Sequence, residues 1–531
     1  MQYRWLKLFA AVGGNTIFAV ADDDQTIYTF RGASPANMQE LLRDFAIERV
    51  IKLEQNYRSH GHILDAANAL IGHNRRRLGK NLWTAEAKGE PLRVFEAATD
   101  SEEAASIVEE AQLLRAQGVA LAHIAVLYRS NAQSRVLEHA LFTAGMPYRV
   151  YGGLRFFERQ EIKHALAYLR LVANPDDDGA LTRVINFPAR GIGNRTLEQL
   201  AELAKEKGTS LWAAALLKAE GRKSRDEGGG RRAEGKNEEH EGHPSSLKGV
   251  PAFVALVERM QDATKDLPLP EIIEHVIEVS GLKAHYRAEK EGADRLENLS
   301  ELINAAATFV AERNVQPAGE AAGMDEPDEL TAFLAHAALE AGEHQAGAGA
   351  DALQLMTVHS AKGLEFHSVF VSGLEEGLFP HENSLKEADG IEEERRLMYV
   401  ALTRARRRLY LSFAQSRLLH GQTRYGIASR FFQEIPDALM KRVGAGFKVQ
   451  RSTFKVPSSV PDAGRLGVST LNFEPGTLNS PHATQWRVGQ SVIHPSFGTG
   501  VIVSAEGRGP DARVQVNFRE SGLKWLMLEY A

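Results

Sequence analysis

The sequence predicts an α/β protein whose parallel sheet is interrupted by a block of helices and followed by a small β-barrel. Three observations lead to this fold class: apolar strands that run into polar turns and amphipathic helices, a long stretch of helical periodicity alone, and C-terminal alternating strands between glycine-rich turns. The predicted boundaries are 1–54, 55–175 and 350–440 for the α/β parts, 176–349 for the helical block, 441–485 for a linker and 486–531 for the barrel.

The composition of the 531 residues excludes several classes of protein. No long apolar run occurs, so no membrane-spanning helix is expected. The absence of cysteine excludes disulfides and thiolate metal sites, and it fits a cytoplasmic protein. The net charge is only −6, so nucleic-acid binding would depend on local basic patches instead of the global charge. The N-terminal MQYRWLKLFAAVGG lacks the cleavage pattern of a signal peptide.

The first α/β part begins with two predicted buried strands. TIFAVA at Thr16–Ala21 is followed by the polar turn Asp22–Gln25. Val50–Leu53 is followed by the polar turn Glu54–Ser59, which leads into an amphipathic helix.

The same unit recurs further along the chain. The apolar strand Ile124–Tyr128 is followed by the polar residues Arg129–Asn131 and by a predicted helix at Ser134–Thr143. A recurring strand, polar turn and helix is typical of a parallel α/β sheet with its ligand site at the strand ends.

The helical block contains a glycine-rich turn and a low-complexity insertion. Pro188–Leu200 reads as a Gly-Ile-Gly turn that leads into a helix. Residues 218–249 are charged and glycine-rich, with almost no apolar side chains to bury, so they are predicted to be disordered. Further helices are predicted at Pro251–Val279, Arg295–Glu312 and Asp328–Gly342.

The chain from Leu353 to Ala414 returns to the α/β pattern. Strands are predicted at Leu353–Val358 and Ser368–Ser372, with the polar loop His359–Glu365 between them. A helix follows, and Arg404 lies near its end on the stripe of apolar residues that should face the core. An arginine at that position either pairs with an acid or reaches an anion.

Each polar turn is ambiguous by itself. Asp22–Asp24 could bind a metal ion, but acids after a strand are more often solvated or turn-forming. Tyr57 and Arg58 could form an ordinary aromatic–cation pair at the surface. Several such turns in one α/β framework together indicate a polyanion site, because planar guanidinium groups suit phosphate oxygens.

Six segments follow one another along the chain: ADDDQTIYTFRGA, LEQNYRS, VLYRSNAQSRVLE, YGGLRFFERQEIK, TVHSAKGLEF and EEERRLMYVALTRARRRL. They resemble, in this order, motifs of the UvrD/Rep/PcrA family of superfamily 1 DNA helicases. The resemblance covers the whole chain, including the terminal barrel. It implies two RecA-like domains with ATP and Mg²⁺ in the cleft between them. It also implies single-stranded DNA across their tops, 3′→5′ unwinding in DNA repair and replication, and a nucleoid-associated place in the cytoplasm.

The resemblance also implies roles for single residues at the nucleotide. Gln25 would sense the γ-phosphate, and Arg58 and Arg404 would contact it and stabilise the charge that develops in phosphoryl transfer. Tyr57 would stack on adenine, and Glu365 would hydrogen-bond the ribose. The resemblance assigns no protein residue of this chain as a metal ligand.

A second set of residues would contact DNA. Single-strand contacts are implied for Tyr28, Phe30, Arg31, Arg129, Asn131, Thr357 and His359. Duplex contacts at a junction are implied for Gly191, Gly193 and Arg195, and His420 stands where the family has its strand-separating pin. The terminal barrel resembles a Tudor-like module that binds RNA polymerase, and DNA-repair proteins are further expected partners.

One family motif does not occur. The sequence contains no GxxxxGK[ST] segment, whose lysine and hydroxyl would hold the phosphates and Mg²⁺. We therefore expect the isolated chain to bind ATP weakly and to hydrolyse it negligibly. Two classes of function remain open. One is a helicase whose gene is truncated or split, and the other is an ATPase-inactive remnant that binds DNA or RNA polymerase.

Overall fold

The computed structural model describes most of the chain and divides into two compact units. The described residues are 2–11, 17–29, 32–34, 36–75, 77–226, 249–290, 292–315, 328–342, 350–419, 422–443, 488–506, 513–519 and 521–527. The first unit comprises Met1–Arg424 and Ala428–Lys441, and the second comprises Tyr425–Ile427 and Arg442–Ala531.

An eight-stranded sheet forms the centre of the first unit. Its strands are β1 (Leu92–Thr99), β2 (Ile124–Tyr128), β3 (Tyr148–Val150), β4 (Leu353–Thr357), β5 (Phe366–Val371), β6 (Ala405–Leu419), β7 (Gln422–Tyr425) and β8 (Met440–Val443). The order is β3-β4-β2-β5-β6-β1-β8, and β7 pairs with β6 outside this path. The neighbours from β3 to β1 are parallel. The predicted α/β class with a parallel sheet is therefore confirmed.

Helices cover both faces of this sheet, as a parallel sheet requires. The helices of the α/β part are α1 (Gln2–Ala11), α2 (Ala36–Asp44), α3 (Gly61–Ile71), α4 (Asp100–Ala116), α5 (Ser134–Thr143) and, near its end, α15 (Gly390–Leu402). One face packs α3 and α15 into a common apolar core with the strands, and the other face packs α4 and α5.

The inserted block has an apolar core of its own. Its helices are α6 (Gln160–Ala173), α7 (Asp178–Val184), α8 (Asn194–Lys207), α9 (Leu211–Asp226), α10 (Gly249–Thr264), α11 (Leu269–Val279), α12 (Leu282–Arg287), α13 (Gly292–Val315) and α14 (Glu329–Gly342). Phe156, Tyr168, Phe253, Ile273 and Phe333 all belong to that core. The prediction of disorder from residue 218 was wrong for its first part, because α9 continues to Asp226. The rest of the predicted stretch, to residue 248, lies outside the described residues.

The two predicted N-terminal strands are not strands. Residues 17–21 and 50–53 belong to no described helix or strand, and Phe18 and Ile51 are 91% and 77% exposed. Residue 16 lies outside the described residues. An apolar run becomes a strand only when a neighbour supplies its hydrogen bonds and covers its face. The described part of this chain offers these two runs no such neighbour.

The second unit contains a four-stranded antiparallel sheet. Its strands are β9 (Ser491–His494), β10 (Gly498–Glu506), β11 (Arg513–Phe518) and β12 (Gly522–Met527), in the order β12-β11-β10-β9. A small core of Ile502, Val514, Val516 and Phe518 lies on one face. Most of the predicted linker, at 444–485, falls outside the described residues. Among the described helices of the whole chain, none is long and apolar enough to cross a membrane.

Candidate nucleotide and DNA sites

Four loops that carry the predicted nucleotide residues meet at the amino ends of β5 and β6. The backbone N–H of Phe366, the first residue of β5, donates to the carbonyl of Arg404 at 2.9 Å. The guanidinium of Arg58 donates to Glu365 Oε2 at 2.5 Å and to the carbonyl of Thr403 at 3.4 Å. The structure thus brings Arg58, Glu365 and Arg404 together.

Arg404 is 1% exposed, and no carboxylate among the described residues forms an ion pair with it. Its guanidinium donates to the carbonyls of Val400 and Leu364 and to Thr403 Oγ1, each at 3.0 Å. Burial lowers the pKa of Arg404 to about 10, and the neighbouring charge of Arg58 contributes. Of the two alternatives for this residue, pairing with an acid is therefore excluded within the described chain. A buried cation without a counter-ion suits an anionic ligand.

Glu365 and Tyr57 lie at the outer side of this group. The hydrogen bond from Arg58 lowers the pKa of Glu365, and Arg406 Nε lies 3.9 Å from its other oxygen. The ring of Tyr57 is 78% exposed, so it presents an open face on which a planar ligand could stack. In this arrangement Glu365 holds one of the two guanidinium groups at the site.

Gln25 joins the group through a lysine that sequence reasoning did not select. Lys362 Nζ donates to the carbonyl of Gln25 at 2.7 Å, and burial lowers the pKa of Lys362. The side chain of Gln25 donates to Asp22 Oδ2 at 2.5 Å. The signal for Lys362 was present, because it stands within the quoted segment TVHSAKGLEF. Thr403, whose carbonyl accepts from Arg58, was also missed.

The three aspartates before Gln25 lie close enough together to hold a cation, but protein groups already bind all three in this arrangement. Asp24 accepts two hydrogen bonds from Arg77, at 3.1 and 2.8 Å, and Asp22 forms an ion pair with Lys80. Asp23 accepts from the backbone N–H of Leu78 at 2.6 Å. Their charges are thus already compensated by the protein, and the residues present fit ATP phosphates at Arg404 better than Mg²⁺ at the aspartates.

The loop His359–Glu365 was predicted to bind its ligand at the end of a strand, but Glu365 lies before one. Arg404 was predicted near the end of a helix, and it follows α15 closely. Glu365 comes directly before β5, and Arg404 comes directly before β6. Because β5 and β6 are parallel to β2 and β4, Glu365 and Arg404 lie at the end of the sheet opposite the carboxyl ends of these strands. The physical reason is that the seven-residue loop His359–Glu365 crosses from the end of β4 to the start of β5.

Several predicted DNA residues lie at the carboxyl ends of β2 and β4, which are neighbours. Tyr128 at the end of β2 is in register with Thr357 at the end of β4. Thr357 Oγ1 lies 3.1 Å from Ser360 Oγ. The hydroxyl of Tyr28 donates to the carbonyl of His359 at 3.1 Å. Asn131, half-buried, begins the turn after β2.

Arg129 has a structural partner that the sequence did not reveal. Its guanidinium donates to both oxygens of Glu394 on α15, at 2.8 to 3.1 Å. Burial alone would raise the pKa of Glu394, but the hydrogen bonds and charge of Arg129 outweigh burial and lower it. A contact between Arg129 and DNA stays a prediction, and it would have to share or replace this ion pair.

The remaining predicted DNA residues are elsewhere or not described. Gly191, Gly193 and Arg195 are exposed on the helical block, where α8 begins after Gly193. Gly191 has a φ of +73°, which favours glycine at this turn, and no atom lies within 4 Å of where its Cβ would be. These three residues lie on the helical block and not at the carboxyl ends of β2 and β4. Phe30, Arg31 and His420 lie outside the described residues.

The loop His359–Glu365 contacts members of both sets. At one end the carbonyl of His359 accepts from Tyr28, and at the other Glu365 accepts from Arg58. In its middle Lys362 binds the carbonyl of Gln25 and lies 5.3 Å from the ring centre of Tyr28. One short segment therefore connects a phosphate-type anion site to the carboxyl ends of β2 and β4.

Comparisons with known proteins match nearly the whole chain. The UvrD-like helicase C-terminal domain matches residues 51–416, the UvrD/REP helicase N-terminal domain matches 1–46, and the PcrA/UvrD tudor domain matches 488–531. DNA helicase II of Escherichia coli is 44% identical over 539 residues, which span 100% of this chain and 68% of that protein. The ATP-dependent DNA helicase PcrA of Bacillus subtilis is 36% identical over 549 residues, again 100% of this chain and 68% of the relative.

The chain belongs to the UvrD/PcrA family of DNA helicases. The family resemblance predicted from the six motifs is thereby confirmed. Within this family, the antiparallel sheet β9–β12 corresponds to the tudor domain. The roles of single residues at the nucleotide and on DNA stay predictions.

Proposed function

We propose that this UvrD/PcrA-family chain supplies one wall of the ATP site and much of the single-stranded-DNA track of a 3′→5′ DNA helicase. Its biological setting would be DNA repair and replication in the cytoplasm, at the nucleoid. The observation that carries the proposal is the pair Arg404 and Arg58. Two guanidinium groups converge where the buried one, Arg404, has no carboxylate partner among the described residues.

At this wall the residues have distinct tasks. Hydrolysis of bound ATP supplies the energy for translocation. Arg404 and Arg58 would hold the γ-phosphate and stabilise the charge that develops on it. Glu365 restrains Arg58 and would bind the ribose, and the exposed ring of Tyr57 would stack on adenine. Gln25, held through its carbonyl by Lys362, would report the state of the γ-phosphate to the loop.

At the carboxyl ends of β2 and β4, on the opposite end of the sheet from Arg404, the chain would hold the DNA strand. Thr357, His359 and Asn131 offer a hydroxyl, a ring and an amide suited to backbone phosphates, and Tyr28 lies against them. Because the loop His359–Glu365 contacts both sets, a change at the phosphate end would be transmitted to the DNA end. This coupling is what a translocating motor requires.

We propose RNA polymerase as a partner of the tudor-type sheet, and repair proteins as further partners. The described part of that sheet exposes large apolar side chains, among them Ile493, Leu523 and Trp525. The guanidinium of Arg513 lies 4.7 Å from the ring centre of Trp525. An exposed aromatic and arginine pair of this kind is common at protein interfaces.

The test uses a chimera to which a P-loop motif is added. A family segment that contains GxxxxGK[ST] is joined before residue 1, and DNA-stimulated ATPase and unwinding of 3′-tailed and 5′-tailed duplexes are measured. We expect ATP-dependent unwinding of the 3′-tailed duplex. Arg404→Ala should lower kcat roughly 10²–10³-fold, the loss typical for one preorganised charge donor. The matched control is Arg259→Ala, an exposed arginine on α10, which should leave kcat unchanged.

Three other outcomes would contradict parts of the proposal. Equal activity of Arg404→Ala and the parent chimera would exclude Arg404 from the ATP site. Preference for the 5′-tailed duplex would overturn the polarity. A chimera that binds single-stranded DNA without DNA-stimulated hydrolysis would favour the alternative, a protein that binds DNA or RNA polymerase without motor activity.

A further inference from the structure

Two histidines and a glutamate converge where helix α5 of the α/β part meets α14 of the inserted block. His139 lies on α5, and His336 and Glu340 lie one turn apart on α14. One candidate ligand atom from each of the three side chains lies within 4.8 Å of the other two. None of the three residues belongs to the predicted nucleotide or DNA sets, and the chain's proposed helicase function does not use them.

Two of the separations between candidate ligand atoms are near those around a single zinc ion. His139 Nδ1 lies 2.6 Å from Glu340 Oε1, and His336 Nε2 lies 3.0 Å from the same oxygen. Zinc–ligand bonds of about 2.0–2.1 Å place neighbouring ligand atoms roughly 3.3 Å apart. The two nitrogen–oxygen separations at Glu340 therefore differ from this value by about 0.3 to 0.7 Å, and His336 and Glu340 can reach one ion together because they are four residues apart on one helix face.

A fourth side chain orients one of the ligands. His139 Nε2 lies 3.3 Å from Glu312 Oε1 on α13. In metal sites, a carboxylate that accepts from the outer ring N–H of a histidine fixes its tautomer and leaves the inner nitrogen for the metal. Glu312 has this position, so a metal would replace the proton on Nδ1 while Nε2 keeps its proton.

The charges around the cluster also favour a cation. The carboxylate of Glu340 is buried beside the two imidazoles, so the cluster offers one carboxylate to a cation. Arg135, one turn before His139, forms an ion pair with Glu301, so its positive charge is compensated.

We propose that His139, His336 and Glu340 bind a Zn²⁺ ion that links α5 to α14. Two imidazoles and one carboxylate form a known three-ligand zinc set with a fourth position for water, and they suit zinc better than the all-oxygen shells of Mg²⁺ or Ca²⁺. The ion would join the inserted helical block to the sheet-packed helix α5. Its role would be structural, and it would restrain movement between these two helices.

The experiment titrates the full 531-residue chain, stripped of metal with a chelator, with ZnCl₂ by calorimetry and with CoCl₂ by visible absorption. We expect one Zn²⁺ per chain and the visible band of four-coordinate Co²⁺. His336→Ala should weaken Zn²⁺ binding at least tenfold and remove the Co²⁺ band. Glu312→Ala should weaken Zn²⁺ binding roughly 10–100-fold, as loss of an orienting carboxylate typically does.

The matched control is His285→Ala. His285 on α12 also faces a glutamate four residues further along the chain, just beyond the end of that helix, with Nε2 3.3 Å from Glu289 Oε1. These two residues are not part of any three-ligand group found in the described residues. It should leave the Zn²⁺ affinity and the Co²⁺ band unchanged. Circular dichroism confirms that each variant is folded, and Glu340→Gln gives a second ligand variant of nearly equal volume. Absence of stoichiometric binding by the wild-type chain, or equal affinity of folded His336→Ala and wild type, would overturn the proposal.

Discussion

Two arginines in the second half of the chain, Arg417 and Arg404, differ in whether a carboxylate balances their charge. Arg417 donates to both oxygens of Glu375, with shortest distances of 2.8 Å, and it also pairs with Glu103. Both carboxylates are buried, and burial raises the pKa of Glu375. Arg404 has only carbonyl and hydroxyl partners among the described residues. The charge of Arg417 therefore serves folding, whereas the charge of Arg404 is suited to a ligand.

This contrast predicts different effects of the same substitution on stability. Arg417→Met leaves two buried carboxylates without their cation, which should lower the free energy of unfolding by about 3–5 kcal/mol. Arg404→Met replaces a buried unpaired charge with an apolar side chain, and Val400 keeps a hydrogen bond from Thr403 Oγ1, so the change should stay within about 1 kcal/mol. Urea denaturation followed by circular dichroism measures both. An equal loss in the two variants would mean that the fold needs the charge of Arg404.

At the scale of secondary-structure elements, the sequence predicted those helices and strands that a local periodic pattern of apolar residues marks. β2 and α5 have the predicted bounds, because an uninterrupted apolar run and a clear helical stripe mark them. β1 was missed, although Leu92 and Val94 are buried between more accessible neighbours and this alternation was visible. The runs at 17–21 and 50–53 have the same local signal as β2, but strand formation depends on a neighbour that local patterns do not specify.

The site was predictable to a different extent. The motif resemblance named Arg58, Glu365 and Arg404, which the structure brings together. It could not show that Arg129 is engaged by Glu394 or that Lys362 binds the carbonyl of Gln25, 337 positions away. Such contacts arise from the arrangement of loops in space, and no spacing along the chain encodes them.

The loop His359–Glu365 carries a prediction at this scale. Lys362→Ala removes the hydrogen bond to Gln25 and the contact with the ring of Tyr28. In the P-loop chimera, we expect single-stranded DNA to stimulate the ATPase of Lys362→Ala about tenfold less than it stimulates the parent. The reason is that a hydrogen bond from a charged group contributes about 1.5–3 kcal/mol, and this contribution to the coupling is lost. DNA affinity should change little. The control is Lys265→Ala, directly after the end of α10, where the exposed lysine forms an ion pair with the exposed Asp262. Unchanged stimulation in Lys362→Ala would show that the loop does not couple the two sites.

At the scale of the whole molecule, the N-terminal segments expose an unusual number of large apolar side chains. Trp5, Phe18, Ile51 and Leu53 are 69%, 91%, 77% and 77% exposed. Single exposed apolar residues are normal, but many within the first 53 residues constitute a surface that water does not solvate well. We define the apolar N-terminal surface as these four residues. Exposed apolar area of this kind favours association, because contact with another apolar surface removes it from water.

For the isolated chain the apolar N-terminal surface predicts concentration-dependent self-association and binding of the dye ANS. Changing Ile51 and Leu53 together to lysine should reduce ANS fluorescence at least roughly twofold and shift the chain toward monomer in sedimentation velocity, because charges on such a surface oppose burial. The control changes Leu113 and Leu217 to lysine; these residues are 46% and 49% exposed and lie apart on α4 and α9. It should leave both measurements unchanged.

If the control reduces dye binding as strongly as the N-terminal variant, self-association would reflect general apolar exposure. Loss of dye binding in the P-loop chimera, with the N-terminal residues unaltered, would instead show that the joined segment covers this surface.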